Sequence, residues 1–345
     1  MVLGKHKLIL FIGFVVTGVC LWIALRGADW AAIKKALLGA NLWLLVPLLG
    51  FYFAQLWVKC LRWASLVKPI RQTSSREAAP AVMVGAMVSF LLPTYISEFV
   101  RPYLLARQFK LSYASLLATV ALERLFDFFT ILLLVALVFV TSSKLPEQLS
   151  VLGYFIGALS AAIAVVILAL VLWRDAFIRL MKLLLAWMPE KILENILKQV
   201  HAIADGLGAV KDPRLVLVVA AQSLLQWALM GLSIYMSILA VGIAVPPTAG
   251  VVVLALNVAG MSLPSAPGFF GTIQVCFTLG LKAYGVGTDP AFAASVIFHL
   301  AVYVFTLLIG FFYLRKLGLG LRQLTSAASK DGEQQIAGEA IESLR

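Results

Sequence analysis

The sequence predicts an all-α polytopic membrane protein, and three observations lead there. First, 62% of the 345 residues are hydrophobic and only 13% are charged, where a soluble domain carries roughly 25% charged residues. Second, the apolar residues gather into runs close to the ~20 residues that carry a helix across the hydrocarbon core. Third, two of those runs are interrupted halfway by proline and small residues. The expectation is about six full transmembrane helices plus two oppositely oriented re-entrant broken-helix hairpins, an inverted-repeat-like layout. The alternative is eight kinked transmembrane helices.

Taken in order, the first expected span is Leu8–Leu25, behind Lys5-His6-Lys7. It is longer than a signal-peptide core and has no small-x-small cleavage site before Arg26, so it reads as a retained helix. The other expected spans are Leu42–Leu66, Tyr113–Val140, Val151–Trp173, Leu215–Ile243 and Ala291–Leu314. Residues 1–316 make one integral membrane domain, followed by a polar cytoplasmic tail at 317–345. Between the halves, the stretch at about 176–210 places apolar residues at helical spacing with lysines between them, the pattern of an interfacial amphipathic segment. Cys20, Cys60 and Cys276 all fall in apolar runs and read as small buried hydrophobes. The net charge of +12 would point a soluble protein toward nucleic acid. Here its source is the basic residues of cytoplasmic loops, and no nucleic-acid partner is expected.

The two interrupted runs, at about 78–110 and 250–287, carry the most information. The first breaks at Leu92-Pro93-Thr94-Tyr95-Ile96-Ser97-Glu98-Phe99, the second at Leu263-Pro264-Ser265-Ala266-Pro267-Gly268-Phe269-Phe270, followed by Gly271. Pro93 aligns with Pro264, Ser97 with Gly268 and Phe99 with Phe270. Proline removes a backbone donor and disfavours helix in the residue before it, so each run should be two short helices joined by an irregular turn. Bare backbone at membrane depth is tolerated only inside protein or beside a wet cavity. If both runs re-enter and the N-terminus is inside, 22 basic residues lie on the cytoplasmic side and 5 outside. That asymmetry favours cytoplasmic N- and C-termini, with the two hairpins entering from opposite sides and a site between them near the midplane.

Charges inside the apolar runs are the candidate site. Glu123 and Asp127 are four residues apart on one helix face, and Arg124 is three from Asp127. Each charge costs about 2.5–3.5 kcal/mol at the bilayer centre, so they must pair or face water. Glu98 and Arg101 sit at the first break. One reading is a structural ion-pair network. The other is a polar cavity in which Arg101 and Arg124 hold a phosphate, with Glu98, Glu123 and Asp127 as resting partners or proton carriers. Asn257 and Gln274 are secondary polar candidates on the second hairpin. The histidines show no metal spacing, His299 reads as a packed or hydrogen-bonded residue, and no cofactor is expected.

The strings Leu92-Pro93 to Ser97-Glu98-Phe99-Val100-Arg101, Glu123-Arg124-Leu125-Phe126-Asp127 and Leu263-Pro264-Ser265-Ala266-Pro267-Gly268 resemble, in order, the motifs of one family. It is the flippase-like membrane domain of lysylphosphatidylglycerol synthases, also found as free-standing proteins of the YbhN type. The resemblance runs over roughly Leu8 to Lys316. It departs at Ser97, where the family has glycine, and at Gln274, where a glutamate is expected. It implies a protein of the bacterial or archaeal cytoplasmic membrane that translocates an anionic phospholipid or a polyprenyl-phosphate-linked lipid. The soluble aminoacyl-transfer domain of the full synthases is not expected in the short tail, and the chain is not expected to be an enzyme. The alternatives are an intramembrane lipid-modifying enzyme and a non-transporting subunit partnering an envelope-lipid synthesis enzyme.

Overall fold

The computed structural model describes residues 2–91, 94–141, 212–261 and 266–320. The expected span Val151–Trp173, the segment at 176–210, residues 321–345 of the tail, and Pro93, Pro264 and Ser265 lie outside the described residues. Within them all regular structure is helical: α1 (Val2–Leu25), α2 (Trp30–Leu38), α3 (Leu45–Val67), α4 (Ser75–Leu91), α5 (Thr94–Phe109), α6 (Tyr113–Thr141), α7 (Pro213–Ala240), α8 (Thr248–Met261), α9 (Thr272–Lys282) and α10 (Thr288–Lys316). Five expected spans with described residues are helices α1, α3, α6, α7 and α10. Three helical stretches, Leu42–Val67, Pro213–Ala240 and Thr288–Lys316, are long and apolar enough to cross a membrane, and a bent pair raises this to four.

That bent pair was not foreseen. The sequence leaves 26–41 as a loop, yet Trp30–Leu38 is helical and turns 86° from Val15–Leu25. Asp29 starts α2 by accepting from Ala31 N at 2.8 Å, and only Ile33 of the helix is buried. Trp22, Trp30 and Trp43 are all exposed around this corner, as tryptophans are where a membrane meets water. Elsewhere the starts follow local chemistry. Asp212 caps α7 through Arg214 N at 2.9 Å, with Pro213 in the first turn. Ser74 and Glu77 form a reciprocal capping box at the start of α4.

Both interrupted runs are helical hairpins. In the first, α4 and α5 lie antiparallel, Gly85 facing Arg101 across the pair. In the second, α8 and α9 are antiparallel: a Cβ on Gly260 would meet Thr272 and Cys276, and one on Gly280 would meet Val253. The turns differ from expectation. Helix α5 already begins at Thr94, so Ser97 and Glu98 stand on a helix and a serine at 97 needs no special backbone. The second turn is longer and irregular, with a short 3-10 turn at Pro267–Phe269. There Gly268 (φ 84°) and Gly271 (φ 82°) occupy the left-handed region. The two motifs align in sequence but not in backbone conformation.

Packing relates the two halves. Exchange α3 with α7, α4 with α8, α5 with α9 and α6 with α10, and each principal contact among these eight helices maps onto another, while the packing of α1 and α2 stands outside the exchange. The pairs α3–α4, α4–α5, α5–α6, α4–α10, α3–α6 and α3–α10 correspond to α7–α8, α8–α9, α9–α10, α8–α6, α7–α10 and α7–α6. The α3–α7 pair maps onto itself, and these helices run antiparallel. Asn41 N donates to Ala240 O (2.8 Å), Ser233 Oγ to Leu48 O (3.0 Å) and Arg62 to Ser223 Oγ (2.8 Å). Around this axis the buried core includes Leu48, Trp63, Met83, Met87, Ile234, Ile238, Phe277 and Phe298.

Glycines set the close approaches. A Cβ on Gly250 would lie 2.5 Å from Gly231 O and 3.0 Å from Tyr235 Cβ, whereas Gly50 has nothing within 4 Å. Gly250→Val should therefore destabilise the protein by about 1–3 kcal/mol, read as a lowered thermal midpoint in detergent by tryptophan fluorescence. Gly50→Ala should leave that midpoint unchanged or higher, and equal effects of the two would refute this packing.

Candidate functional site

The charged residues expected on α5 and α6 meet, and α3 and α7 complete the group. Glu123 and Asp127 lie one turn apart on α6 and face α3 and α7. Arg62 of α3 reaches between them, Nη2 to Glu123 Oε1 at 2.7 Å and Nη1 to Asp127 Oδ1 at 2.6 Å. Arg101 of α5 reaches the other oxygen of Glu123 at 2.9 Å and Glu98 at 3.2 Å. Arg124 pairs with Glu98 at 3.0 Å and with Asp127 Oδ2 at 3.3 Å. The six groups close a ring: Arg62, Glu123, Arg101, Glu98, Arg124, Asp127 and back to Arg62. Cations and carboxylates alternate, and the ring is neutral.

Local features make the ring feasible. Gly85 leaves a lane on α4 for the aliphatic stem of Arg101, because any Cβ there would run into its Cγ and Cδ. The Arg101 guanidinium stands 5.5 Å from the centre of the Trp63 ring, and Trp63 Nε1 donates to Thr119 Oγ1 at 3.1 Å. From α7, Ser223 Oγ accepts from Arg62 and Trp227 Nε1 donates to Asp127 Oδ1 at 2.8 Å. Such outer partners satisfy lone pairs that a bare ion pair leaves open.

Burial is uneven around the ring. The side chains of Arg62 and Glu123 are 0% exposed, Arg101 3% and Asp127 8%, against 30% for Glu98 and 43% for Arg124. Four members are thus sealed, and the Glu98–Arg124 edge opens outward. The contacts that flank this edge are the longest in the ring, Arg101–Glu98 at 3.2 Å and Arg124–Asp127 Oδ2 at 3.3 Å, and Asp127 Oδ2 makes no well-aligned hydrogen bond. The surplus is limited: releasing Arg124 from Glu98 leaves Glu98 on Arg101 and Arg124 beside Asp127.

Sequence reading brought Glu98, Arg101, Glu123, Arg124 and Asp127 together correctly but gave Arg62 to a cytoplasmic end. Arg62 is wholly buried. Its signal was its position inside an apolar run, between Leu61 and Trp63. Arg101, counted among cytoplasmic charges as well as in the site, is interior too. Without these two and Lys59, which also lies beside the ring, the basic asymmetry of the expected topology is 19 against 5.

The second hairpin builds a different group, which shares no bond with the ring among the described residues. Gln274 Oε1 accepts from Gly271 N at 2.7 Å, closing the start of α9, and its amide nitrogen lies 3.1 Å from His299 Nδ1. His299 Nε2 is 2.7 Å from Gly268 O, so Nε2 donates to that carbonyl and Nδ1 accepts from Gln274. The imidazole is neutral and packed, as expected, with Phe270 4.6 Å away. Gln274 takes a role suited to its amide, since a carboxylate has no proton to give His299. Pro267 opens the turn. Asn257 is buried with neither side-chain atom bonded. Among the described residues no cluster of His, Cys, Asp or Glu is arranged for a metal.

Removing a sealed member of the ring should cost far more than removing an open one. Arg62→Met takes one of two cations from each of two buried carboxylates, leaving Glu123 Oε1 without a partner, and should destabilise the protein by about 3–5 kcal/mol. Arg124→Gln breaks half-exposed pairs worth about 0–1 kcal/mol. Unfolding midpoints of the two variants in one detergent test this, and equal losses would refute the ordering.

Comparisons with known proteins identify the family of the chain. The family model described as lysylphosphatidylglycerol synthase TM region matches residues 10–310. A UPF0104 membrane protein of Methanothermobacter thermautotrophicus is 31% identical over 121 residues, which are 34% of this chain and 34% of that protein. The chain thus spans about a third of the length of this curated relative. No solved structure matches. With its apolar helices, hairpins and motifs in order, the chain is a membrane protein that belongs to the lysylphosphatidylglycerol synthase TM region family.

Proposed function

We propose that the protein translocates a lipid across the cytoplasmic membrane, holding its headgroup at the open edge of the ion-pair ring. The observation that carries this reading is the contrast within the ring: four sealed charges support one half-exposed guanidinium at a carboxylate that can let it go. A phosphate that displaces Glu98 from Arg124 meets a fixed cation and leaves no orphaned charge. Arg124 is the headgroup ligand. Arg101, 3% exposed and bound to two carboxylates, positions Glu98 and is not itself the phosphate ligand.

The hairpins support the same reading. Helices α4, α8 and α9 have 17, 14 and 11 residues, about 26, 21 and 17 Å at 1.5 Å per residue. All are shorter than the ~30 Å hydrocarbon core. Short antiparallel pairs enter and leave on one side. The exchange relation between the halves, with α3 and α7 antiparallel on its axis, supports opposite orientation of the two hairpins, and the ring, carried by the first half, abuts α7 of the second. Taken with the six spans expected from the sequence, the basic asymmetry supports cytoplasmic placement of both termini. The lipid is an anionic phospholipid or a polyprenyl-phosphate-linked lipid, which an envelope-lipid synthesis enzyme would supply.

Translocation of fluorescent lipids in proteoliposomes tests the proposal. Wild type should move lipid with its mass unchanged, and Arg124→Ala should reduce the rate at least tenfold while remaining folded. Absence of movement by wild type across anionic and polyprenyl lipids would refute a transporter. A changed lipid mass would instead indicate a lipid-modifying enzyme.

A further inference from the structure

Beside the ring lies a cation that no carboxylate among the described residues pairs with directly. Lys59 stands on α3 three residues before Arg62, on the same helix face, and is half-buried. The charges acting on it are Arg101, Arg124, Glu123 and Glu98, all ring members. Among the described residues no carboxylate lies within 4 Å of it. The ring's three guanidinium groups are matched by its three carboxylates, so the cluster including Lys59 carries four cations and three anions. It has one uncompensated positive charge.

We infer that Lys59 and Arg124 together form the anion site, and that its unit surplus of charge selects singly charged phosphodiesters over phosphomonoesters, diphosphates and zwitterions. This rests on the headgroup site proposed above and adds its second ligand and its selectivity. An uncompensated charge inside a membrane protein is costly, and a monoanion bound at Lys59 and Arg124 brings the cluster to neutrality. A terminal phosphomonoester carries about −1.5 to −2 at neutral pH and overshoots. A zwitterionic diester brings its own cation, which has no spare carboxylate to meet because all three belong to the ring. The ammonium of Lys59 is a mobile point charge on a flexible stem, able to follow a phosphate, whereas Arg62 and Arg101 are fixed by two carboxylates each.

The chemistry recognised, a phosphodiester monoanion, exists both in lipids and in water-soluble esters, and the test separates them. Binding to the full chain in detergent would be measured for phosphatidylglycerol, phosphatidic acid and phosphatidylcholine of identical acyl chains, and for soluble glycerophosphoglycerol. Phosphatidylglycerol should bind at least about tenfold more tightly than the other two lipids, the worth of one charge-assisted hydrogen bond. Lys59→Met should abolish that preference without lowering the unfolding midpoint, because it removes an unpaired charge, and Lys59→Arg should keep it. Equal binding of all three lipids, or an unchanged preference in folded Lys59→Met, would overturn the inference. Should Lys59→Met fail to fold, the wild-type lipid panel and Lys59→Arg still decide. Phosphatidylglycerol preference without translocation would overturn transport alone, and translocation indifferent to headgroup charge would overturn the selectivity alone. Soluble glycerophosphoglycerol binding as tightly as the lipid would support the charge selection and sink the lipid as its ligand.

Discussion

Six alternating charges that have to stay paired where water is scarce constrain this structure more than any other interaction. Each costs about 2.5–3.5 kcal/mol if left alone at the bilayer centre, so the helices that carry them have little freedom. Turning α6 by one residue, about 100°, would carry Glu123 and Asp127 away from Arg62 and break the four ring contacts that α6 makes with other helices. Sliding α3 along α7 would separate Arg62 from Ser223. The ring therefore fixes rotation and register for α3, α5 and α6 and ties them to α7, in the way that a few buried polar groups fix register in other helical assemblies. Apolar packing alone, being non-directional, would leave those choices open.

Around this polar centre the protein is organised inside out. On α10, Leu300, Val304, Leu308 and Phe312 form an exposed stripe at four-residue spacing. The opposite face buries His299, Val302, Thr306 and Gly310. On this helix the polar and small residues turn inward beside Phe298, while the outward stripe is wholly apolar. Tyr52 and Thr306 show the same preference, sharing a buried hydrogen bond at 2.7 Å between α3 and α10. Inward-facing small residues let the helices approach, and hydrogen bonds across them replace the hydrophobic drive that lipid removes.

Much of this was legible in the sequence, for reasons that can be named. Apolar run length located α1, α3, α6, α7 and α10, because membrane thickness imposes that length. Leu-Pro pairs located both hairpins, because proline cannot continue the helical ladder. The i, i+4 spacing of Glu123 and Asp127 placed them on one face. What escaped depends on partners distant in sequence. Arg62 looks like a loop charge until α6 brings its two carboxylates, and Gly85 reads as an unremarkable helix residue until Arg101 passes over it. The helix at Trp30–Leu38 was missed because nine residues fall below the length that periodicity resolves. Likewise, matching motifs suggested matching turns, but Ser97 is helical and Gly268 is not. Side-chain chemistry repeats between the halves less faithfully than helix order does.

The two hairpins are fastened by different means. In α8–α9, Gly260 and Gly280 bring backbone against side chain with no space left, and Gly250 presses α8 onto the carbonyl of Gly231. That hairpin can only travel as one solid piece. Across α4–α5 the lane at Gly85 is filled by the stem of Arg101, a chain of methylenes with rotamers to spare. The first hairpin can shear along that lane while Arg101 keeps hold of Glu123. The half that carries the charges is therefore the one whose hairpin seam is filled by a long, flexible stem instead of short side chains.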